Sequence, residues 1–200
     1  MTTRFARYRA RRDPDRTPEP AIRGRGAARP RGRRCFVIQK HDASTLHYDF
    51  RLEIDGALVS WAVPKGPRPD PRVKRLAVRT EDHPLPYADF EGVIPEEDYG
   101  GGTVLLWDRG TYRNLRAGRG RQSRSMARSL EEGLLEVELH GEKLSGGWAL
   151  KRMRRGRQEQ WLLIKMRDEA ADARRNPVST EPRSVASGRT LAAIAREAEP

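Results

Sequence analysis

From Cys35 onward, short runs in which apolar and polar residues alternate are separated by turn signals, at 36–39, 46–54, 57–63, 73–80, 103–107, 134–139, 148–153 and 160–166. Alternation with a period of two is the mark of half-buried strands. Asp55-Gly56, Arg109-Gly110, His140-Gly141 and Arg155-Gly156 fall between runs, and dipeptides of this kind turn one strand back beside the next. Consecutive strands are therefore expected to pair antiparallel. Ser125 and Gly133 frame a helical stretch at 125–132 as N-cap and C-terminal stop. About eight strands with one short helix predict a mainly β fold, a single closed antiparallel β-barrel. A second short helix is expected at 190–199, with Leu191, Ile194 and Ala195 on one side, lying at the periphery after a linker at 177–188.

Composition divides the chain into three parts. Residues 1–34 combine Arg, Gly and four prolines without apolar periodicity and read as a basic N-terminal arm, mobile unless docked. Residues 35–167 hold the strand pattern, and 168–200 read as a polar linker with the last short helix. No apolar run approaches the roughly 20 residues that span a bilayer, and no apolar segment follows the basic N-terminus as a secretory signal requires. A cytoplasmic protein is expected. Cys35, the single cysteine, excludes an internal disulfide and a thiolate zinc cluster.

Of the net charge of +12, residues 1–34 carry +9. A second cationic stretch holds Arg109, Arg113, Arg116, Arg119, Arg121, Arg124 and Arg128, with Asp108 as its only acid. Runs of this kind neutralise phosphates irrespective of sequence and predict a nucleic-acid patch. Arginine outnumbers lysine 34 to 6, and a compositional bias yields the same excess, so the preference for Arg says little about bidentate recognition.

The chemistry concentrates in 39–54. Tyr48, Phe50, Leu52 and Ile54 share one strand face, and His47, Asp49, Arg51 and Glu53 share the other. An exposed sheet carries satisfied polar residues in the same pattern. The residue types favour a site: His47 and Asp49 aim at one point, and His41 can return to it across a short loop. Two imidazoles and a carboxylate suit manganese, iron or zinc. Arg51 is next on that face, placed to hold an anion. Arg75, Ala77, Arg79, Glu81 and His83 share parity on a later strand and are expected to bring a second Arg, a carboxylate and a third His to the same cavity, a set suited to phosphoryl transfer. His140, in a turn, reads as surface. Lys40-His41-Asp42-Ala43 lacks the glycine of a nucleotidyltransferase nucleophile segment. Gly100-Gly101-Gly102 precedes a strand and reads as a flexible turn. Trp61, Trp107, Trp148 and Trp161 lie in strand patterns and read as core.

Several segments resemble the 3′-phosphoesterase domain of bacterial DNA ligase D. They are Phe36–Ala43, Leu46–Glu53, Ser60–Pro67, Glu81–Pro84, Tyr87–Gly92, Ile94–Glu96 with Tyr99-Gly100, Trp107–Tyr112, Leu139–Leu144 and Trp161–Lys165. The resemblance covers residues 36 to about 167. It implies a β-barrel that heals DNA 3′ ends in non-homologous end joining. A 3′-terminal ribonucleoside is removed by phosphodiester cleavage and then the 3′-phosphate, with manganese (Mn2+) as cofactor. It implies His41, His47 and Asp49 as metal ligands, and Arg51 and His83 at the phosphate, with His83 as acid or transition-state donor. Tyr87, Glu81 and Gln39 fall on supporting positions, and Lys65 and Arg75 on positions that engage substrate phosphates. Arg12-Asp13 and Thr17-Pro18-Glu19-Pro20 are similar to a segment contributing Arg, Asp and Glu to activity. Pro14 stands where that segment commonly has Phe, which removes an aromatic anchor and a backbone N–H.

Without the polymerase and ligase modules of the multidomain enzyme, a stand-alone form is expected. It would work on DNA or primer-template 3′ ends beside separate ligase, polymerase and end-binding proteins. Two other functions fit parts of the pattern. A non-catalytic nucleic-acid-binding repair subunit keeps the basic surface, and a non-haem iron oxygenase keeps the two-His, one-Asp triad but leaves the arginines unexplained.

Overall fold

The computed structural model describes residues 3–12, 18–20, 34–118, 123–156 and 158–198. Nine strands are present among them: β1 (Arg34–Asp42), β2 (Leu46–Ile54), β3 (Ala57–Val63), β4 (Lys74–Arg79), β5 (Gly92–Ile94), β6 (Gly102–Asn114), β7 (Leu134–Gly141), β8 (Ser145–Arg154) and β9 (Gln160–Lys165). The helices are α1 (Ala6–Ala10), α2 (Met126–Glu132), α3 (Pro177–Thr180) and α4 (Leu191–Glu197), with a 3-10 turn at Leu85–Asp89. The strands run β1-β2-β3-β4-β9-β8-β7-β6, and β6 pairs back onto β1. Eight antiparallel strands thus close a barrel, and β5 lies outside it, paired with the first part of β6.

The β2 alternation fills both sides of this wall. Phe50, Leu52 and Ile54 join an interior cluster to which all eight barrel strands contribute, including Trp61, Trp107, Trp148 and Trp161, each at most 1% exposed. A second cluster covers the outer face of β1, β3 and β6 with Tyr8, Tyr87, Ala88, Phe90 and Ile94. Burying both faces makes this part of the wall a rigid platform. Opposite Ile38 and Gln39 the β1–β6 register slips by one residue at Trp107, a bulge of the kind that re-aims side chains beside functional sites.

The turn chemistry holds at Asp55-Gly56, where positive φ at both residues (49° and 77°) closes the β2–β3 hairpin. Ser125 caps α2 by accepting from the Arg128 N–H, and Gly133 ends it at φ 84°. Arg109-Gly110, expected as a turn, lies inside the long β6. A Cβ at residue 110 would overlap the His140 carbonyl oxygen, so glycine here serves close strand approach.

The C-terminal segment is not a free linker, and its last helix is not peripheral. Val185 N–H donates to Leu106 O at 2.9 Å, Trp107 Nε1 donates to Glu181 O at 2.9 Å, and Arg189 pairs with Glu91 at 3.0 Å. Ile194 of α4 is 3% exposed within the interior cluster. The N-terminal arm also departs from a simple mobile tail, since α1 lays Tyr8, 4% exposed, against the outer cluster.

Asp108, fully buried on β6, accepts four backbone N–H bonds, from Arg109, Glu142, Lys143 and Leu144, at 2.9–3.0 Å. Burial pushes its pKa up to about 6 even against these donors. Asp108→Ala strips the β7–β8 turn of its acceptors and is expected to cost about 2–4 kcal/mol. Urea unfolding reads this as a lower midpoint at unchanged slope, and a wild-type midpoint would remove the carboxylate from the stability of the turn.

Candidate active site

The β1–β2 hairpin sets His41 directly opposite His47 and Gln39 opposite Asp49. All four side chains emerge on the outer face of the barrel wall. The two imidazole rings lie 4.9 Å apart. Asp49 Oδ2 is 3.6 Å from His41 Nδ1, 3.7 Å from His47 Nε2 and 3.0 Å from the Arg51 guanidinium. His47 Nδ1 sits 2.8 Å from Thr45 O, which fixes the proton there and leaves Nε2 facing the carboxylate. Burial alone would raise the Asp49 pKa, but Arg51 and the two histidines hold it well below the usual carboxylate range. Burial works against a proton on His47, yet the hydrogen bond and charge of Asp49 outweigh it and push that pKa up.

These three donors fit a divalent metal. One atom from each lies within 4.8 Å of the others, so a contraction of a few tenths of an ångström or more brings them to bonds of about 2.0–2.2 Å with a shared ion. His41 Nε2 is buried without a hydrogen-bond partner. The attraction of Asp49 that favours a proton on His47 favours a cation between the donors in the same way.

Arg51 extends the site away from the triad. Only 2% exposed, it donates to Gln39 Oε1 at 2.7 Å, Ser60 Oγ at 2.9 Å and Asp49 Oδ2 at 3.0 Å, and its Nη1 lies 2.9 Å from His83 Nδ1. Gln39 in turn donates to the carbonyls of Tyr87 and Phe90 at 3.1 and 2.9 Å, fastening the 3-10 turn onto the sheet. His83 is held by a bridge to Leu58 and packs edge-on against Tyr87 and Tyr8. Burial, then the charges of Arg51 and Arg12, drive its pKa well down, so the imidazole is neutral. Burial drives the Tyr87 hydroxyl well up, so it keeps its proton.

Arg12, stacked 3.9 Å over the Tyr8 ring, completes the wall with ion pairs to Glu19 at 2.7 Å and Glu81 at 3.3 Å. The triad, Arg51, His83, Tyr87, Glu81 and Arg12 line a pocket of about 290 Å3. A profile of the DNA Ligase D 3'-phosphoesterase domain matches residues 39–152, which contain the triad, Arg51 and His83. The chain belongs to this family.

The multifunctional non-homologous end joining protein LigD of Pseudomonas aeruginosa is 53% identical over 194 residues, covering 94% of this chain and 22% of that protein. The LigD of Mycobacterium tuberculosis is 43% identical over 174 residues, covering 84% of this chain and 20% of that protein. That of Mycolicibacterium smegmatis is 40% identical over 174 residues. The phosphoesterase domain described here thus spans about a fifth of the curated relatives it matches.

Within the phosphoesterase domain, the structure gathers His41, His47, Asp49, Arg51, Glu81, His83, Tyr87 and Arg12 around one pocket, with Gln39 and Glu19 directly behind it. Arg75 is not among them. It pairs with Leu163, whose side chain belongs to the interior cluster, and strand parity does not carry past Arg79, where β4 ends. Lys65, exposed in the turn after β3, is also off the pocket. Asp13, Arg119 and Arg121 lie outside the described residues.

The described arginines of the expected nucleic-acid patch are paired with acids, five arginines on three glutamates. Arg109 pairs with Glu142, Arg113 with Glu138, and Arg116, Arg124 and Arg128 all with Glu132. Its β6 members lie further along the strand than the site: Val104 faces His41, and Arg113 stands about 30 Å of extended strand beyond it at ~3.3 Å per residue. Sequence reasoning missed Ser60, Tyr8, Arg11 and Tyr99. A serine inside the otherwise apolar β3 is a readable signal for the first and the Tyr99-Gly100 match to the family for the last; nothing in the sequence marks Tyr8 or Arg11.

Proposed function

We propose that this chain is a metal-dependent DNA 3′-end-healing phosphoesterase of double-strand break repair by non-homologous end joining. It removes a 3′-terminal ribonucleoside and then the 3′-phosphate. One observation carries the reading: a cation-favouring His41–His47–Asp49 triad shares Asp49 with a buried arginine that also contacts a neutral histidine. Family membership and the printed role of the relatives in end joining support it.

The triad would hold manganese, which supplies Lewis-acid polarisation of a phosphoryl oxygen or a bound water. Arg51, fixed by Gln39, Ser60 and Asp49, presents its charge to the non-bridging oxygens at no cost of reorganisation. His83, neutral between two arginines, retains one ring N–H and acts by hydrogen-bond donation to the ester oxygen. Glu81 holds Arg12 at the pocket wall, and the protonated Tyr87 packs under Arg51, 4.9 Å from its ring centre. Substrates would be DNA or primer-template 3′ ends, and a separate or covalently joined ligase, polymerase and end-binding protein would act before and after. Among the described residues no helix is long and apolar enough to cross a membrane; a cytoplasmic, nucleoid-associated place follows from the proposed substrate.

The test is a gel assay with manganese on a primer-template ending in one 3′-ribonucleotide, beside a 3′-phosphate substrate. Both ends are expected to become 3′-hydroxyls. A chelator should abolish the conversion, and added manganese should restore it. Metal-independent binding without conversion would leave a non-catalytic subunit, and a requirement for ferrous iron and dioxygen would indicate an oxygenase.

A further inference from the structure

Beyond the reacting pocket, Thr80, Glu81 and Tyr99 also line a cavity of about 520 Å3, and Arg7 and Arg79 connect that cavity to another of about 590 Å3. The three adjoin one another through these shared walls. One wall is the N-terminal segment with Arg4, Arg7 and Arg11; the other is the end of α2, at Leu130 and Glu131, with the β8–β9 turn. The groove's carboxylates are already engaged. Glu81 is shared by Arg11 at 3.0 Å and Arg12 at 3.3 Å, Asp82 by Arg4 and Arg79, and Glu159 and Glu131 face Arg152 at 3.8 Å and Arg128 at 3.4 Å. Arg7 is exposed and makes no hydrogen bond or ion pair among the described residues. At the junction with the pocket, the half-exposed Tyr99 ring carries the Arg11 guanidinium at 4.1 Å, an arginine–aromatic surface of the kind that accepts a stacked base.

The geometry points to this groove as the track for the strand that bears the scissile 3′ end, its upstream phosphates running past Arg11 and Arg7. The inference rests on the phosphoesterase reading, because a 3′ terminus held at the triad has chain on one side only and must leave the pocket through one opening. An excess of guanidinium over free carboxylate favours a polyanion there.

Arg7→Glu tests the track, with Arg174→Glu as a control of equal charge change at an exposed residue outside the groove. On a long primer-template, Arg7→Glu is expected to raise KM about tenfold with kcat within about twofold, and to flatten the salt dependence of binding by about one phosphate contact. A dinucleotide 3′-phosphate, which reaches only the pocket, should be turned over by both variants as by the wild type. Equal KM values for the two variants on the primer-template, or an equal KM rise for Arg7→Glu on the dinucleotide, would overturn the track. Fluorescence anisotropy of a labelled primer-template separates the two readings. Weakened binding by Arg7→Glu in a protein that cleaves nothing would sustain the groove and sink the hydrolase; normal cleavage with unchanged binding would do the reverse.

Discussion

Replacing Asp49 with Asn is expected to lower kcat by at least about a thousandfold while the barrel stays folded, since the several kcal/mol that a metal site contributes depend on this carboxylate. Asp49 is the hub of the site: both histidines and Arg51 converge on its Oδ2. The amide has nearly the same shape but no charge, so His47 loses the influence that outweighs its burial. Manganese affinity, measured by titration calorimetry, should fall with the rate, and circular dichroism should report an unchanged fold. Turnover at the wild-type rate in a folded Asp49→Asn protein would remove the triad from the mechanism. The acid limb of stability should change as well. Because the folded-state pKa is held well below 3.8, the ionised carboxylate contributes stability above that value and loses it as pH falls further; Asp49→Asn should flatten this part of the profile.

Arg51→Met should be nearly as costly to turnover and more costly to the fold. The substitution keeps much of the length and removes the charge, leaving Asp49 buried without its cation and Gln39 Oε1 without its donor. Taking one partner out of a buried ion pair is expected to cost about 3–5 kcal/mol. On the proposed mechanism, losing the charge that faces the phosphoryl oxygens should lower kcat by about 10²–10³. Arg51→Lys separates the two effects. Charge alone should recover part of the stability measured in urea, whereas the planar fork that spans Gln39, Ser60 and Asp49 is not replaced, so turnover should stay low. Full activity in either variant would mean that this arginine holds the sheet together and nothing more.

How far the sequence reaches is clearest at β2. Its strict alternation separates core from site without any knowledge of the partner strands, and the short 43–45 connection already implies that His41 and His47 face each other. The limits have physical causes. β6 reads as two pieces because Arg109-Gly110 has the composition of a turn, while the reason for glycine there is the approach of the His140 carbonyl from another strand. Parity groups Arg75 with Glu81 and His83, but parity holds only while the chain remains extended. The Arg109–Arg113 part of the basic stretch looks uncompensated along the chain, yet Glu142 and Glu138 reach it from the neighbouring strand and its turn, while Glu132 at the end of α2 gathers Arg116, Arg124 and Arg128. Tyr8 anchors α1 through one aromatic ring in an otherwise unpatterned arm, which composition cannot distinguish from disorder.

The strap formed by residues 177–198 bears on how this unit can be moved between proteins. A graft that ended where the profile match ends, at residue 152, would omit β9 and open the barrel between β4 and β8. Ending it after β9 would close the barrel but leave the Trp107 indole and the Lys143 ammonium without the Glu181 carbonyl, and the interior cluster without Ile194. The portable module therefore runs through α4. Fusion partners joined downstream of it inherit a tether whose starting point is set by the barrel itself.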